Sequence, residues 1–122
     1  KTSENSYLQG SILSKKLNCT IVISGATDCI ITGNKVNSIN NGSPIMSKVT
    51  GMGCTSTSII GACVAVEKNI HKAAVSAMAI MGVVGEKTEK LSKGPGTFQA
   101  NFLDVLNSIK SEDIKSKTNL HG

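Results

Sequence analysis

At 122 residues and a formal net charge of +5, the chain has the size of one domain and a mildly basic surface. Its lysines are scattered and only Tyr7, Phe98 and Phe102 are aromatic, so the basic stripe with stacking rings that nucleic-acid binding requires is missing. No apolar run is long enough to span a membrane, and the cysteines and histidines show neither zinc-ligand nor C-x-x-C spacing.

Three of the four cysteines (Cys19, Cys29 and Cys63) fall in apolar patterns and read as small buried hydrophobes in a reducing cytoplasm. The sequence opens abruptly, without an initiating methionine or a signal peptide, as expected of a piece of something longer.

The first predicted element is a helix over residues 3–17, with Leu8/Ile12 and Leu13/Leu17 as an apolar stripe at i, i+4 and Lys15 and Lys16 near its end. Residues 19–24 form a short β-branched run without polar alternation, the pattern of a strand covered on both faces. Residues 28–32 and 35–39 read as two strands joined at Gly33-Asn34, and residues 40–44 as a loop. Three helices follow, over about 53–67, 70–91 and 97–109. The second carries Ile70, Ala74, Ala77, Met78, Met81, Val84 and Leu91 on one face, and the third Phe98, Phe102, Val105, Leu106 and Ile109. Residues 1–110 make the domain portion. Residues 111–122 read as a polar tail, mobile from 115 onward.

Between loop and helices lies Val49-Thr50-Gly51-Met52-Gly53-Cys54. Two glycines one residue apart permit a tight bend and a close approach of backbone amides to a ligand. A helix starting there points its unpaired N–H groups and its positive dipole end at the same spot, which suits a phosphate or the charge of a moving phosphoryl group. Cys54 falls in the first turn of that helix, a setting that makes a sulfur reactive. By itself a Gly-x-Gly before a helix is as often a plain tight loop, and a cysteine after it a buried one.

Further blocks accompany the motif: Thr20-Ile21-Val22-Ile23-Ser24-Gly25, Asp28-Cys29-Ile30-Ile31-Thr32-Gly33 and Asn41-Gly42-Ser43-Pro44-Ile45-Met46 before it, then Gly82-Val83-Val84-Gly85-Glu86 and Gly94-Pro95-Gly96-Thr97-Phe98-Gln99 after it. Together they resemble the C-terminal half of the hydroxyethylthiazole kinases, a branch of the ribokinase-like superfamily. Cysteine at 54, where most of that superfamily carries aspartate, and the Gly-Pro-Gly-Thr-Phe block are features of this branch. The chain departs from the family's pattern at Ser43, where histidine is usual, at Met52, where a smaller residue is usual, and in its length, roughly half of the family's.

The resemblance implies a three-layer α/β/α ribokinase-like fold, of which this chain supplies about the C-terminal half. It implies ATP-dependent phosphorylation of the primary alcohol of hydroxyethylthiazole in thiamine biosynthesis or salvage. Carried over position by position, Cys54 matches the catalytic base, Gly51 a substrate contact and Ser24 an ATP-binding hydroxyl, with the amides of Gly51, Met52 and Gly53 as the anion hole. Asp28 reads better as a turn carboxylate than as a metal ligand. Magnesium ligands belong to the other half, so no metal site is expected here. The implied partners are the N-terminal half of the same enzyme and, as in a homotrimer, further copies. The alternatives are a fragment inactive by itself, or another ribokinase-like kinase, which Cys54 disfavours.

Overall fold

The computed structural model describes residues 4–122; the expected helix start at Ser3 lies outside the described residues. In chain order the elements are α1 (Glu4–Leu17), β1 (Ile21–Ile23), β2 (Asp28–Thr32), β3 (Lys35–Ile39), a 3-10 turn (Pro44–Lys48), α2 (Met52–Val66), α3 (Ile70–Leu91), α4 (Pro95–Ser108), α5 (Ser111–Lys117) and β4 (Leu120–His121). The strands form one antiparallel sheet in the order β1-β2-β3-β4.

Alternation along β2 sets the layers. Ile30 and its register neighbourhood face α3, packing with Ile39, Ala74 and Met78. Ile31 points the other way, onto α1, where a Cβ on Gly10 would come within 2.5 Å of its side chain. Helices thus cover both faces of the sheet, and β2 is buried along Asp28–Ile31. A second cluster, built on Phe98, Phe102, Val105, Met81, Val84 and Val49, joins α3 to α4; the two rings lie 5.9 Å apart. Pro95 sits in the first turn of α4, and the Thr97 hydroxyl accepts the Gly94 N–H at 3.2 Å, fixing where that helix begins.

Three expectations change in the folded chain. The run over residues 19–24 shortens to β1, which is only half-buried, because β1 pairs with β2 alone and is the edge of the sheet; the strand covered on both faces is β2. In α1 the Leu8/Ile12/Leu13/Leu17 stripe faces outward, with Leu8 and Leu17 each 59% exposed. The helix docks through Gly10 and Ser14, because small residues let its backbone approach the sheet and the Ser14 hydroxyl bonds the Cys19 carbonyl. Residues 111–122 are ordered into α5 and β4 rather than a tail. Lys87 Nζ bonds Asp113 Oδ2 at 3.3 Å, Ile114 packs beside the α3 core, and β4 pairs with β3 at Ser38↔His121 and Ile39↔Leu120.

His71, buried at the start of α3, ties that helix to the sheet. Its Nε2 donates to Asn37 Oδ1 and its Nδ1 accepts from Thr32 Oγ1, both at 2.7 Å; the Asn37 amide in turn donates to the His121 carbonyl. Burial, and secondarily the Lys35 charge, lower its pKa. The neutral ring therefore contributes its stability above the usual histidine value, and that contribution fades as pH falls.

Asn41 does the same for the C-terminus. Its Nδ2 donates to Glu86 Oε1 at 3.0 Å and to the Lys117 carbonyl at 2.8 Å, and its Oδ1 accepts the Asn119 N–H. Replacing Asn41 with alanine leaves three polar groups without their partner and is expected to lower unfolding stability by about 2–3 kcal/mol. Urea denaturation checks this, and an unchanged midpoint would show that residues 117–121 do not brace the loop.

Candidate functional site

A cavity of about 530 Å³ opens at one end of the sheet, within the size range of small-molecule sites. Its walls come from the turn after β1 (Ser24, Gly25, Ala26), from Asp28, from the loop and 3-10 turn after β3, from the start of α2 (Met52, Gly53, Ser56) and from α3 (Met78, Met81, Gly82). All four methionines of the chain, Met46, Met52, Met78 and Met81, line it, giving an apolar and adaptable wall.

The start of α2 has the geometry that its sequence demands. Gly51 is the N-cap, with φ 90° and ψ 3°, a left-handed conformation that side-chain-bearing residues rarely adopt. The first intrahelical backbone bond at this end runs from Thr55 N to Gly51 O at 2.9 Å, so the amides of Met52, Gly53 and Cys54 precede the helical ladder. At Gly53 an added Cβ would meet nothing within 4 Å, so no packing requires glycine, and the residue lines the cavity without a side chain to cover its backbone. The hydroxyls of Thr55, Ser56, Thr57 and Ser58 fold back onto carbonyls three or four residues earlier, which accommodates this polar run inside a helix.

Of the residues singled out from sequence, the fold brings Ser24, Met52 and Gly53 to the wall of one cavity. Gly51 and Cys54 are exposed and do not line it; they flank Met52 and Gly53 on the solvent side. Sequence reasoning missed Asn41, Ser56, Met78 and Gly82 as wall residues. Gly82 carries a signal in hindsight: an added Cβ would sit 2.5 Å from Asn41 Cβ, so α3 needs glycine where the loop crosses it. Asp28 holds the turn as its sequence position suggests, its Oδ1 accepting the Gly25 N–H at 3.0 Å. Among the described residues no group of three or more His, Cys, Asp or Glu side chains could hold a metal ion, and no helix is long and apolar enough to cross a membrane.

A family model described as the Hydroxyethylthiazole kinase family matches residues 2–112. The chain belongs to that family. It is 45% identical over 118 residues to a hydroxyethylthiazole kinase of Leptospira biflexa serovar Patoc, covering 97% of this chain and 44% of the relative. To one of Syntrophus aciditrophicus it is 43% identical over 112 residues, covering 92% and 42%. The solved hydroxyethylthiazole kinase of Pyrococcus horikoshii OT3 superposes with a TM-score of 0.89 at 27% identity, covering 97% of this chain and 46% of that one. The chain therefore has the ribokinase-like α/β fold over its length, and it spans less than half the length of the relatives it matches.

Two departures from the hydroxyethylthiazole kinase pattern have local explanations. Ser43 caps the 3-10 turn, its hydroxyl accepting the Ile45 N–H at 3.4 Å. Met52 adds its side chain to the methionine wall without altering the amide it presents.

Asp28 is the ionisable group that this geometry perturbs. It is 7% exposed, and burial, partly offset by the Gly25 N–H, pushes its carboxyl up to about 6. A raised carboxyl pKa means that the folded state binds the proton more tightly than the unfolded state does. Its stabilising contribution is complete below about 3.8 and is lost as pH rises through about 6. Asp28→Asn, which keeps an acceptor for Gly25, should therefore be more stable than the parent at pH 8, by about 1–2 kcal/mol once solvent in the cavity is allowed for. That advantage should disappear on acidification toward pH 4. Thermal melts of the two proteins at matched pH check this, since His71 contributes equally to both; a gap that does not depend on pH would contradict the assignment.

Proposed function

We propose that this chain is part of an enzyme that phosphorylates the primary alcohol of hydroxyethylthiazole with ATP, in thiamine biosynthesis or salvage in the cytoplasm. The observation that carries the proposal is the α2 N-terminus, where a left-handed Gly51 and a bare Gly53 amide stand beside a cavity large enough for a nucleotide. In this reading the nucleoside part of ATP occupies the methionine-lined cavity, Ser24 supplies a hydroxyl to it, and the amides of Gly51, Met52 and Gly53 hold the transferred phosphoryl group. The alcohol approaches on the solvent side, against Gly51, and Cys54 takes its proton.

Phosphoryl transfer is mainly positioning and charge stabilisation, so the amides at the helix start carry more of the catalysis than the base does. Magnesium would supply charge neutralisation to the phosphates; the residues that would hold it are assigned to the half of the enzyme that this chain does not contain. The exposed leucine stripe of α1 and the open edge of β1 support an assembly in which that N-terminal half continues the sheet and covers α1. The chain by itself is then inactive. A homotrimer, with further copies completing the exposed side of Cys54, agrees with the absence of buried residues on α2.

Steady-state kinetics on the assembled enzyme test the roles. Cys54→Ala should lower turnover by roughly 10²-fold, the lower end of the range for general acid–base catalysis, because early proton removal is not essential in a loose transition state. Cys54→Asp should retain measurable activity. Gly51→Val should be worse than either, since a β-branched residue is strained at φ 90°. Normal activity of Gly51→Val together with an inactive Cys54→Asp would sink this account of the site.

Thiol labelling supplies a readout independent of turnover. Cys54 is exposed, Cys29 is buried, and Cys19 and Cys63 are half-buried. A thiol reagent should therefore modify Cys54 first, and ATP should slow the reaction; equal labelling of all four, indifferent to nucleotide, argues against the site.

A further inference from the structure

Among the described residues Asp28 is the only ionisable side chain lining the cavity. Its Oδ1 is committed to the Gly25 N–H, while Oδ2 has no partner among the described residues. Among the described residues no fully buried side-chain nitrogen or oxygen is left unsatisfied, so Oδ2 is not sealed in protein; Asp28 lines the cavity, and Oδ2 is open to it.

The other polar side chains of the wall are already engaged. Asn41 bonds Glu86, Lys117 and Asn119, Ser43 takes the Ile45 N–H, and Ser47 and Ser56 donate to the carbonyls of Pro44 and Gly53. The Ser24 hydroxyl and Asp28 Oδ2 are the side-chain groups of the wall with no hydrogen-bond partner among the described residues. A carboxylate held this way accepts hydrogen bonds and repels anions, so the part of a ligand that meets it must be neutral and carry an O–H or N–H. A buried acceptor that a ligand leaves unpaired costs affinity, which makes such a group discriminating rather than merely adhesive.

We propose that Asp28 is a specificity-determining residue for the phosphoryl donor, its Oδ2 accepting a hydrogen bond from an O–H or N–H group of the nucleoside part, away from the phosphates. This rests on the reading of the cavity as the nucleotide site. It assigns Asp28 a role separate from the phosphate-holding amides of α2 and from the Gly25 bond that shapes the turn. With burial raising the carboxyl only to about 6, the group is mainly ionised at neutral pH, the state that accepts and does not donate.

The donor group is a sugar hydroxyl or the exocyclic amine of the base, and analogues separate the two. Binding of ATP, 2′-deoxy-ATP, 3′-deoxy-ATP and purine riboside triphosphate is measured by calorimetry at pH 7.5, with this chain assembled with its complementing half. Asp28→Asn keeps the acceptor for Gly25 and turns an amide toward the cavity; Asp28→Ala removes both interactions. ATP should bind Asp28→Asn about tenfold or more weaker than the parent protein. One analogue should bind the parent with a similar loss, and Asp28→Asn should cost that analogue nothing further.

A deoxy analogue behaving so identifies the sugar, and the purine analogue identifies the base amine. If every analogue loses the same factor in both proteins, or only Asp28→Ala binds ATP more weakly, Asp28 merely shapes the turn and the proposal is wrong. A defect in Asp28→Asn that vanishes when magnesium is omitted places the carboxylate on the cation, which also overturns it. ATP that binds without such coupling removes this inference alone, whereas ATP that does not bind the assembled parent protein removes the nucleotide-site reading and this inference with it.

Discussion

The Asn41 side chain spends both of its amide hydrogens and its carbonyl oxygen on three separate places: Glu86 on α3, the Lys117 carbonyl at the end of α5, and the Asn119 amide before β4. Glu86 Oε1 also accepts the Gly42 N–H at 3.0 Å, so the buried Asn41 amide and the half-buried Glu86 carboxylate together hold the loop after β3 against α3 and the C-terminus. Gly82 lets the helix backbone come close enough for this, and Gly85 does the same for the Met46 side chain one turn on. The rim of the cavity, the approach to α2 and the seating of the last residues all follow from that contact. A buried amide is costly to leave unpaired, and here its pairing defines a unique loop position.

From this anchor the chain runs through the 3-10 turn into Gly51, whose left-handed backbone starts α2 with Met52 and Gly53 at the cavity wall. The wall is apolar and built on methionine, and its one ionisable side chain among the described residues is Asp28. Among the described residues no cationic side chain lines the wall, and the amides of Met52, Gly53 and Cys54 precede the helical ladder of α2. Such dipoles are fixed by the fold and need no reorganisation when charge develops between them. Cys54 stands outside the cavity, exposed to solvent.

Outward-facing apolar surface is the other organising feature. The α1 stripe and one side of α2, an apolar helix with no fully buried residue, are exposed in a chain that spans less than half the length of its relatives. Leucines at i, i+4 are a sound signal of a buried face, but they do not say what buries it. In α1 the sheet is met by Gly10 and Ser14 instead, because close backbone approach to β2 needs small residues there.

The sequence by itself determined the local structure. β-Branched runs bounded by turn residues fixed β2 and β3, the 3.6-residue period fixed α3 over its full length, and Gly51-Met52-Gly53 fixed a helix start with exposed amides, because in each the nearest neighbours along the chain dictate the backbone. The blocks from Thr20 to Gln99 also carried the family. Only the tertiary structure decided what depends on contacts between distant segments. Asn41 meeting residues 117–119, His71 bridging Thr32 and Asn37, the polar C-terminus becoming α5 and an edge strand, and Asp28 turning a free oxygen into a cavity of four methionines all join residues far apart in the chain. No periodicity records such pairings, since each polar group could equally have been satisfied by water; the fold chose among the partners by removing the water.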